Sequence, residues 1–90
     1  MAQKRYFSFD VSIYRDNDVY RVMTEDIAAF NMVKIALDSK HILIDSESEL
    51  LDENKNPKKQ YIFIRKRSDA KKLINLLLNE EWAFLHIDLN

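Results

Sequence analysis

The sequence predicts one α+β domain over residues 1–90, a ferredoxin-like β-α-β-β-α-β sandwich with two helices on one face of a mainly antiparallel sheet. Three segments alternate apolar and polar residues, which is typical of half-buried strands. Two segments between them repeat apolar residues with the period of a helix. Ninety residues supply one hydrophobic core and are close to the smallest size at which such a core suffices alone.

The first strand is predicted at residues 6–14, where the alternation is clearest. Successive side chains of a strand face opposite sides, so one set points to the core. That set is Phe7, Phe9, Val11 and Ile13. A turn signal at residues 15–18 and a β-prone segment at 19–23 allow an additional hairpin strand, which is optional in the predicted fold.

Two amphipathic helices follow, at residues 24–39 and 68–80. Thr24 and Ser68 precede their apolar repeats and are the predicted N-caps. Residues 46–59 are polar, contain the only proline and predict a long connection. The remaining predicted strands lie at residues 41–45, 61–67 and 82–89.

In the ferredoxin-like order the first strand lies between the strands that begin near Tyr61 and Trp82, and both helices cover the same face. The aliphatic side of each strand is expected to meet the helices. The other side is then uncovered and rich in aromatic residues, which is typical of a partner surface. This uncovered side carries Tyr6, Tyr14, Tyr61, Phe63, Trp82 and Phe84, with Asp10, Arg65, His86 and Asp88 among them.

Three interpretations of this aromatic side stay open. The chain itself covers it, with residues 19–23 or the long connection folded over the rings. A second copy covers it in a homodimer. A protein partner or a single-stranded nucleic acid binds it, with bases stacked on aromatic rings.

Charge is uneven along the chain. Residues 45–53 hold five acids and no base, whereas residues 55–72 hold eight bases and one acid. Residues 58–67 alternate basic and aromatic side chains, and in this they resemble the third strand of RNA-recognition-motif domains. The resemblance implies that bases stack on ring side chains while basic side chains contact phosphates. The implied binding residues are Tyr61, Phe63, Lys58, Lys59, Arg65 and Arg67.

Asp10, His86 and Asp88 form a candidate metal site, because neighbouring antiparallel strands are expected to bring Asp10 close to His86 and a His-x-Asp pair shares one side of a strand. Residues 6–12, YFSFDVS, resemble the opening strand of the dimeric CRISPR adaptation nucleases. That resemblance implies a dimeric, metal-dependent ribonuclease or deoxyribonuclease in which Asp10 binds a divalent cation such as Mg²⁺. His86, expected to lie near Asp10, is the second candidate catalytic residue of this alternative.

Composition excludes several classes of site. Without cysteine there is no thiolate metal site or cysteine nucleophile, and without glycine there is no glycine-rich loop for a nucleotide cofactor. No segment predicts a membrane span or an export signal, so we expect a cytoplasmic protein. Abundant Ile, Lys and Asn beside scarce Gly and Pro are typical of AT-rich genomes, such as those of many phages. The sequence thus favours a non-catalytic, cofactor-free interaction or regulatory module that forms homodimers, with the nuclease as the alternative.

Overall fold

A computed structural model describes residues 8–90 and confirms the predicted α+β fold. Five strands form one mixed sheet, and two helices accompany it. The elements in chain order are β1 (Phe9–Asp16), β2 (Val19–Thr24), α1 (Ile27–Ser39), β3 (Ser46–Leu51), β4 (Pro57–Ile64), α2 (Arg67–Leu78) and β5 (Ala83–Asp88).

The strands lie in the order β3-β4-β2-β1-β5, so the ferredoxin-like order is not confirmed. Strand β1 lies between β2 and β5, whereas the prediction placed it directly beside β4. The β3-β4, β4-β2 and β2-β1 pairs are antiparallel, and the β1-β5 pair is parallel. The hairpin strand that the sequence left optional is the middle strand of the sheet.

The β1-β2 turn explains this order. Asp16 and Val19 are paired across a loop of two residues, so β1 and β2 must be neighbours. Asn17 takes a φ of 57°, a left-handed conformation that asparagine adopts more readily than most residues. Strand β2, rather than β1, therefore leads into α1 and pairs with β4, and β1 takes the place between β2 and β5.

The core lies between the helices and one face of the sheet. Directly paired residues share a face, and the row Ile13, Val22 and Ile62 is almost completely buried. Val33 and Leu37 of α1, together with Leu73, Ile74 and Leu77 of α2, belong to the same cluster. The prediction that the helices cover the aliphatic side of the strands is confirmed.

Helix α1 begins and ends at local signals that the sequence only partly revealed. Its N-cap is Asp26, whose carboxylate accepts a hydrogen bond from the Ala28 N–H at 2.8 Å. The prediction of Thr24 was wrong, because Thr24 is buried at the end of β2 and its hydroxyl lies 3.5 Å from the Gln60 side-chain oxygen. At the other end His41 takes a φ of 55° and closes the helix.

Two predicted boundaries also differ. Residues 41–45 form no strand, and β3 lies instead within the predicted polar connection. That connection shrinks to a turn, in which the Asp52 carboxylate accepts hydrogen bonds from the N–H groups of Asn54 and Asn56. Helix α2 begins at Arg67 after Lys66, so Ser68 is not its N-cap.

Neither helix in the described part of the chain is long and apolar enough to cross a membrane.

Candidate functional site: the open face of the sheet

We call the side of the sheet opposite the helices the open face. Pairing places Tyr14 beside Arg21 and Arg21 beside Phe63, while Met23 lies beside Tyr61. These side chains alternate with the buried ones along β1, β2 and β4, so they share one side. On β5 the same alternation places Phe84, His86 and Asp88 on this side, at the edge of the open face. The open face includes Asp10, Ser12, Tyr14, Asp16, Val19, Arg21, Met23, Tyr61, Phe63, Phe84, His86 and Asp88.

Arg21 is at the centre of this face and is surrounded by three rings. Its guanidinium carbon lies 5.6 Å from the Tyr14 ring centroid and 5.4 Å from those of Tyr61 and Phe63. Separations of this size allow a cation–π attraction to each ring. The Tyr61 and Phe63 rings are stacked, with centroids 6.3 Å apart and planes inclined by 24°. We call Tyr14, Arg21, Tyr61 and Phe63 the arginine–aromatic cluster.

Polar contacts hold the guanidinium in place. Arg21 forms an ion pair with Asp16, and its Nη1 donates a hydrogen bond to the Tyr14 hydroxyl at 3.4 Å. Its Nε is buried and has no hydrogen-bond partner among the described residues. Partial burial alone would lower the pKa of Arg21, but the Tyr14 hydroxyl, Asp16 and Tyr61 outweigh this and raise it above its ordinary value. Arg21 is therefore a permanent, fixed cation.

The predicted aromatic residues divide between two places. Tyr61, Phe63 and Phe84 lie on the open face as expected, and Phe84 is 56% exposed. Trp82 does not lie there, which corrects the prediction. Its ring packs against the core and lines a groove with Met32, Ile35 and Leu76 of the helices.

The reason is that residues 81–82 belong to the turn before β5, so strand alternation does not extend to Trp82. Tyr6 lies outside the described residues. Within residues 8–90 the chain does not cover the open face with the two segments considered for that role, because β2 and β3 are strands of the sheet itself.

The predicted basic residues do not gather around the rings. Both Nε and Nη2 of Arg65 lie 3.2 Å from one oxygen of Asp45, and Arg67 donates a hydrogen bond to the Leu89 carbonyl at 3.2 Å. Lys59 alternates with Tyr61 along β4 and is half-buried, whereas Lys58 is exposed and alternates with the opposite set. The basic stretch is therefore divided among β4, the segment after it and α2.

Asp10 and His86 meet at the β1-β5 edge of the open face. The Nε2 atom of His86 lies 2.9 Å from a carboxylate oxygen of Asp10, and both side chains are largely exposed. The neighbouring strands are parallel, not antiparallel as expected. The His86 ring also contacts the Phe84 ring edge-on, with centroids 5.0 Å apart.

The third candidate ligand is not part of this pair. Asp88 pairs with Tyr14, farther along β5, and its carboxylate accepts a hydrogen bond from the Asn90 N–H. Residues 8–90 contain no group of three His, Asp or Glu side chains placed to hold a metal ion. Asp10 and His86 could supply two ligands to a divalent cation, and the remaining positions would be left to water or substrate.

Sequence reasoning missed Arg21 and Met23. Both lie in the β-prone segment 19–23, in which Arg21 is the one charged residue among apolar and aromatic neighbours. A two-residue turn at Asn17 and Asp18 would have placed Arg21 directly opposite Tyr14. That signal was available but was assigned to an optional hairpin.

We compared the chain with protein-family models, curated proteins and solved structures, and none of the three comparisons finds a match.

Proposed function

We propose that this chain is a binding module and that the open face binds a protein partner. The observation that carries the proposal is the arginine–aromatic cluster, in which a fixed cation lies among three half-buried rings on the face that the helices leave free. A partly exposed cluster of rings on the uncovered face of a sheet is typical of a surface that contacts a partner.

The residue types favour a protein. Tyrosine, phenylalanine, arginine and methionine are enriched at the centres of protein interfaces, and all four occur at the centre of the open face. Ring stacking and the Asp16 ion pair already restrict Arg21 and its neighbours. Binding therefore costs less side-chain entropy than it would with flexible residues.

The charges argue against nucleic acid as the first choice. Contacts to phosphates need accessible basic side chains along the path of the strand. Arg21, among the rings, and Arg65, just after β4, are each already paired with a carboxylate. The lysines of the basic stretch lie largely away from the rings, two of them on α2.

A site-specific photo-crosslinker tests the proposal. The photoreactive amino acid benzoyl-phenylalanine replaces Phe63 in one variant and Leu43, which is 82% exposed and outside the open face, in the other. Both variants are expressed in the native cells, irradiated and analysed by mass spectrometry. Circular dichroism confirms that each variant is folded.

Defined protein adducts at position 63, at several times the yield at position 43, are the expected result. An adduct between two copies of the chain would identify the partner as a second copy bound face to face. Equal labelling at the two positions, or adducts to nucleic acid at position 63, would overturn the assignment of a protein partner.

A second candidate function has its own observation, the exposed Asp10 and His86 pair at 2.9 Å. In a metal-dependent nuclease Asp10 would bind the divalent cation and His86 would orient it or move a proton. The test is cleavage of labelled RNA and DNA with and without Mg²⁺ or Mn²⁺. Loss of metal-dependent cleavage in Asp10→Asn, with folding intact, would support the enzyme, and an inert wild-type chain would remove it.

A further inference from the structure

The two outer strands of the described sheet differ in how they are protected. An outer strand presents a row of unpaired backbone N–H and C=O groups, to which another strand can add. Natural proteins prevent this with charged side chains, proline or a β-bulge. The outer strands here are β3 and β5.

Strand β3 carries two of these protections. Glu47 and Glu49 place negative charge along it, and all six of its residues are exposed. Its pairing with β4 is interrupted by a register shift between Leu50 and Leu51. An added strand would have to contact these acids and follow the irregular backbone.

Strand β5 carries neither protection along most of its length. It pairs with β1 in an unbroken register from Ala83 to Asp88, and its single acid is the last residue. Phe84, 56% exposed, lies on the open face, and Ile87, 45% exposed, lies on the helix side. Apolar side chains therefore flank the free edge on both faces of the sheet.

Backbone geometry shows which groups of β5 point outward. The Phe9 N–H donates to the Trp82 carbonyl at 2.7 Å, so that carbonyl faces β1. Hydrogen-bonding direction alternates along a parallel strand, so Phe84, His86 and Asp88 also turn their backbone groups toward β1. The C=O group of Ala83 and the N–H and C=O groups of Leu85 and Ile87 therefore face the free edge, whereas the Ala83 N–H already donates to the Glu80 carbonyl at 3.2 Å.

We propose that β5 pairs antiparallel with the β5 strand of a second copy, about a twofold axis perpendicular to the sheet. In the register that we assign, Leu85 lies opposite Leu85 of the second copy. Ala83 then lies opposite Ile87, and Phe84 lies opposite His86. Apolar residues meet on the helix side and two rings meet on the open face.

A second register, centred on His86, pairs as many residues of β5 and explains this choice. A twofold axis perpendicular to the sheet keeps each face of the sheet on its own side, so the axis can move along β5 from one residue to the next without exchanging the faces. Centring the axis on His86 would oppose Phe84 to Asp88 and bring two imidazoles together. The Leu85-centred register opposes no like charges.

This dimer leaves the arginine–aromatic cluster of each copy free. The result is one ten-stranded sheet, five strands from each copy, with both open faces on the same side. The inference does not depend on what the open face binds. The β5 dimer is tested by the mass of the chain in solution rather than by capture of a partner. Either proposal, the dimer or the protein partner of the open face, can therefore fail while the other stands.

Sedimentation equilibrium of the full chain tests the pairing. We expect twice the 10.8 kDa chain mass for the wild type. Ile87→Pro removes an outward N–H while leaving the bonds to β1, and by symmetry the dimer loses two hydrogen bonds. Since each such bond typically changes an equilibrium constant about fivefold, we expect dimerisation to weaken roughly twenty-five-fold. The matched control Ile87→Val keeps the N–H and is expected to dimerise as the wild type does.

A monomeric wild type overturns the proposal, and so does a dimer that Ile87→Pro leaves unchanged. Should Ile87→Pro fail to fold, Ile87→Lys replaces it, because it keeps the N–H and places a charge at the edge. Dimers that dissociate in Phe63→Glu but persist in both Ile87→Pro and Ile87→Lys would also overturn the proposal.

Cross-linking tests the register independently. The chain has no cysteine, so Leu85→Cys introduces a single thiol. In the assigned register the two Cα atoms at position 85 are about 5.5 Å apart, within the range that a disulfide spans. Mild oxidation is expected to give covalent dimers in Leu85→Cys and far fewer in Leu43→Cys. Equal cross-linking of the two variants would contradict the register.

Discussion

Arg21 shows at the scale of one residue how the open face combines binding chemistry with stability. Its side chain contacts three rings, a tyrosine hydroxyl and a carboxylate. Each cation–π contact at a partly exposed site contributes about 0.5–1 kcal/mol. A surface that is held this firmly before a partner arrives can present a defined shape to it.

We therefore expect Arg21→Ala to lower the free energy of unfolding by about 1–2 kcal/mol. Arg15→Ala is the matched control, because Arg15 lies on the same hairpin but is exposed, and within residues 8–90 its side chain donates a hydrogen bond to the Asn17 carbonyl. Its effect is expected to stay within about 0.5 kcal/mol. Urea denaturation of the three proteins measures both values, and equal losses in the two variants would show that the ring contacts contribute nothing.

The same substitution has a defined pH dependence. The pKa of Arg21 is raised in the folded chain, so its charge contributes fully below the pKa of the unfolded arginine and is lost only as pH rises through the folded value. Both values lie far above neutral pH. The stability difference between wild type and Arg21→Ala is thus expected to be constant across neutral pH, and a slope there in urea titrations would contradict this.

Residue-scale prediction succeeded where strand alternation applied and failed where it ended. Tyr61 and Phe63 lie well inside β4, so the period of two placed them correctly. The same period predicts that the Trp82 ring lies on the open face, but Trp82 belongs to the turn before β5 and its ring packs toward the helices. The sequence carries no marker of where the final strand begins, since glycine is absent from the chain.

At the scale of an element, the end of α1 is a Schellman motif without glycine. The Ile42 N–H donates to the Leu37 carbonyl at 3.0 Å, and the His41 N–H donates to the Asp38 carbonyl at 3.0 Å. Leu37 and Ile42 are both buried in the core, which completes the hydrophobic contact of the motif. His41 takes the left-handed conformation that glycine usually occupies.

We expect His41→Gly to raise the free energy of unfolding by about 0.5–1 kcal/mol, because the left-handed conformation costs a residue with a Cβ more than it costs glycine. Lys40→Gly is the control, since Lys40 has a φ of −110° and gains nothing from glycine. The control is expected to lose stability through unfolded-state entropy. A gain in Lys40→Gly equal to that in His41→Gly, measured by thermal denaturation, would refute the explanation.

Strand β3 shows why elements at the edge of a sheet are hard to predict. Its sequence, SESELL, has no alternation because all six residues are exposed. Its strand structure comes from antiparallel pairing with β4, to which a short turn joins it. Local sequence therefore indicated a loop, and only the tertiary pairing makes this segment a strand.

At the scale of the whole molecule, the position of β2 decides the topology. A hairpin strand at the periphery would contribute little to the core, whereas β2 lies between β1 and β4 and contributes Tyr20 and Val22 to it. The sequence predicted the helices, the packed face and most strands. The predicted order is not confirmed, because the strand after the short turn at Asn17 was interpreted as optional, whereas that turn enforces which strands are neighbours.

Val22→Ala tests this central position. Val22 is 1% exposed and lies between Ile13 and Ile62, so we expect a loss of about 2 kcal/mol in the free energy of unfolding. Val19→Ala, on the same strand but half-buried on the other face, is expected to lose less than half as much. Similar losses of unfolding free energy in Val22→Ala and Val19→Ala, measured by urea denaturation, would mean that Val22 contributes no more to the core than Val19 at the end of β2.

The open face and the β5 edge are separate surfaces of one sheet, so changes at each should act independently. Phe63 lies on β4, which β2 and β1 separate from β5, and it contacts Arg21 and Tyr61 rather than the edge. Phe63→Glu places a charge among the rings but leaves the edge backbone intact. Ile87→Pro does the reverse.

We therefore expect Phe63→Glu to keep the dimer mass and to lose cross-linking from a photo-crosslinker at Tyr14. Ile87→Pro should keep that cross-linking and lose the dimer mass. Substitutions at sites that share no partner usually have additive effects, so the double variant should lose both properties, each by the amount seen in the single variants. Should Phe63→Glu abolish the dimer, the second copy would bind through the open face, and the two surfaces would be one interface.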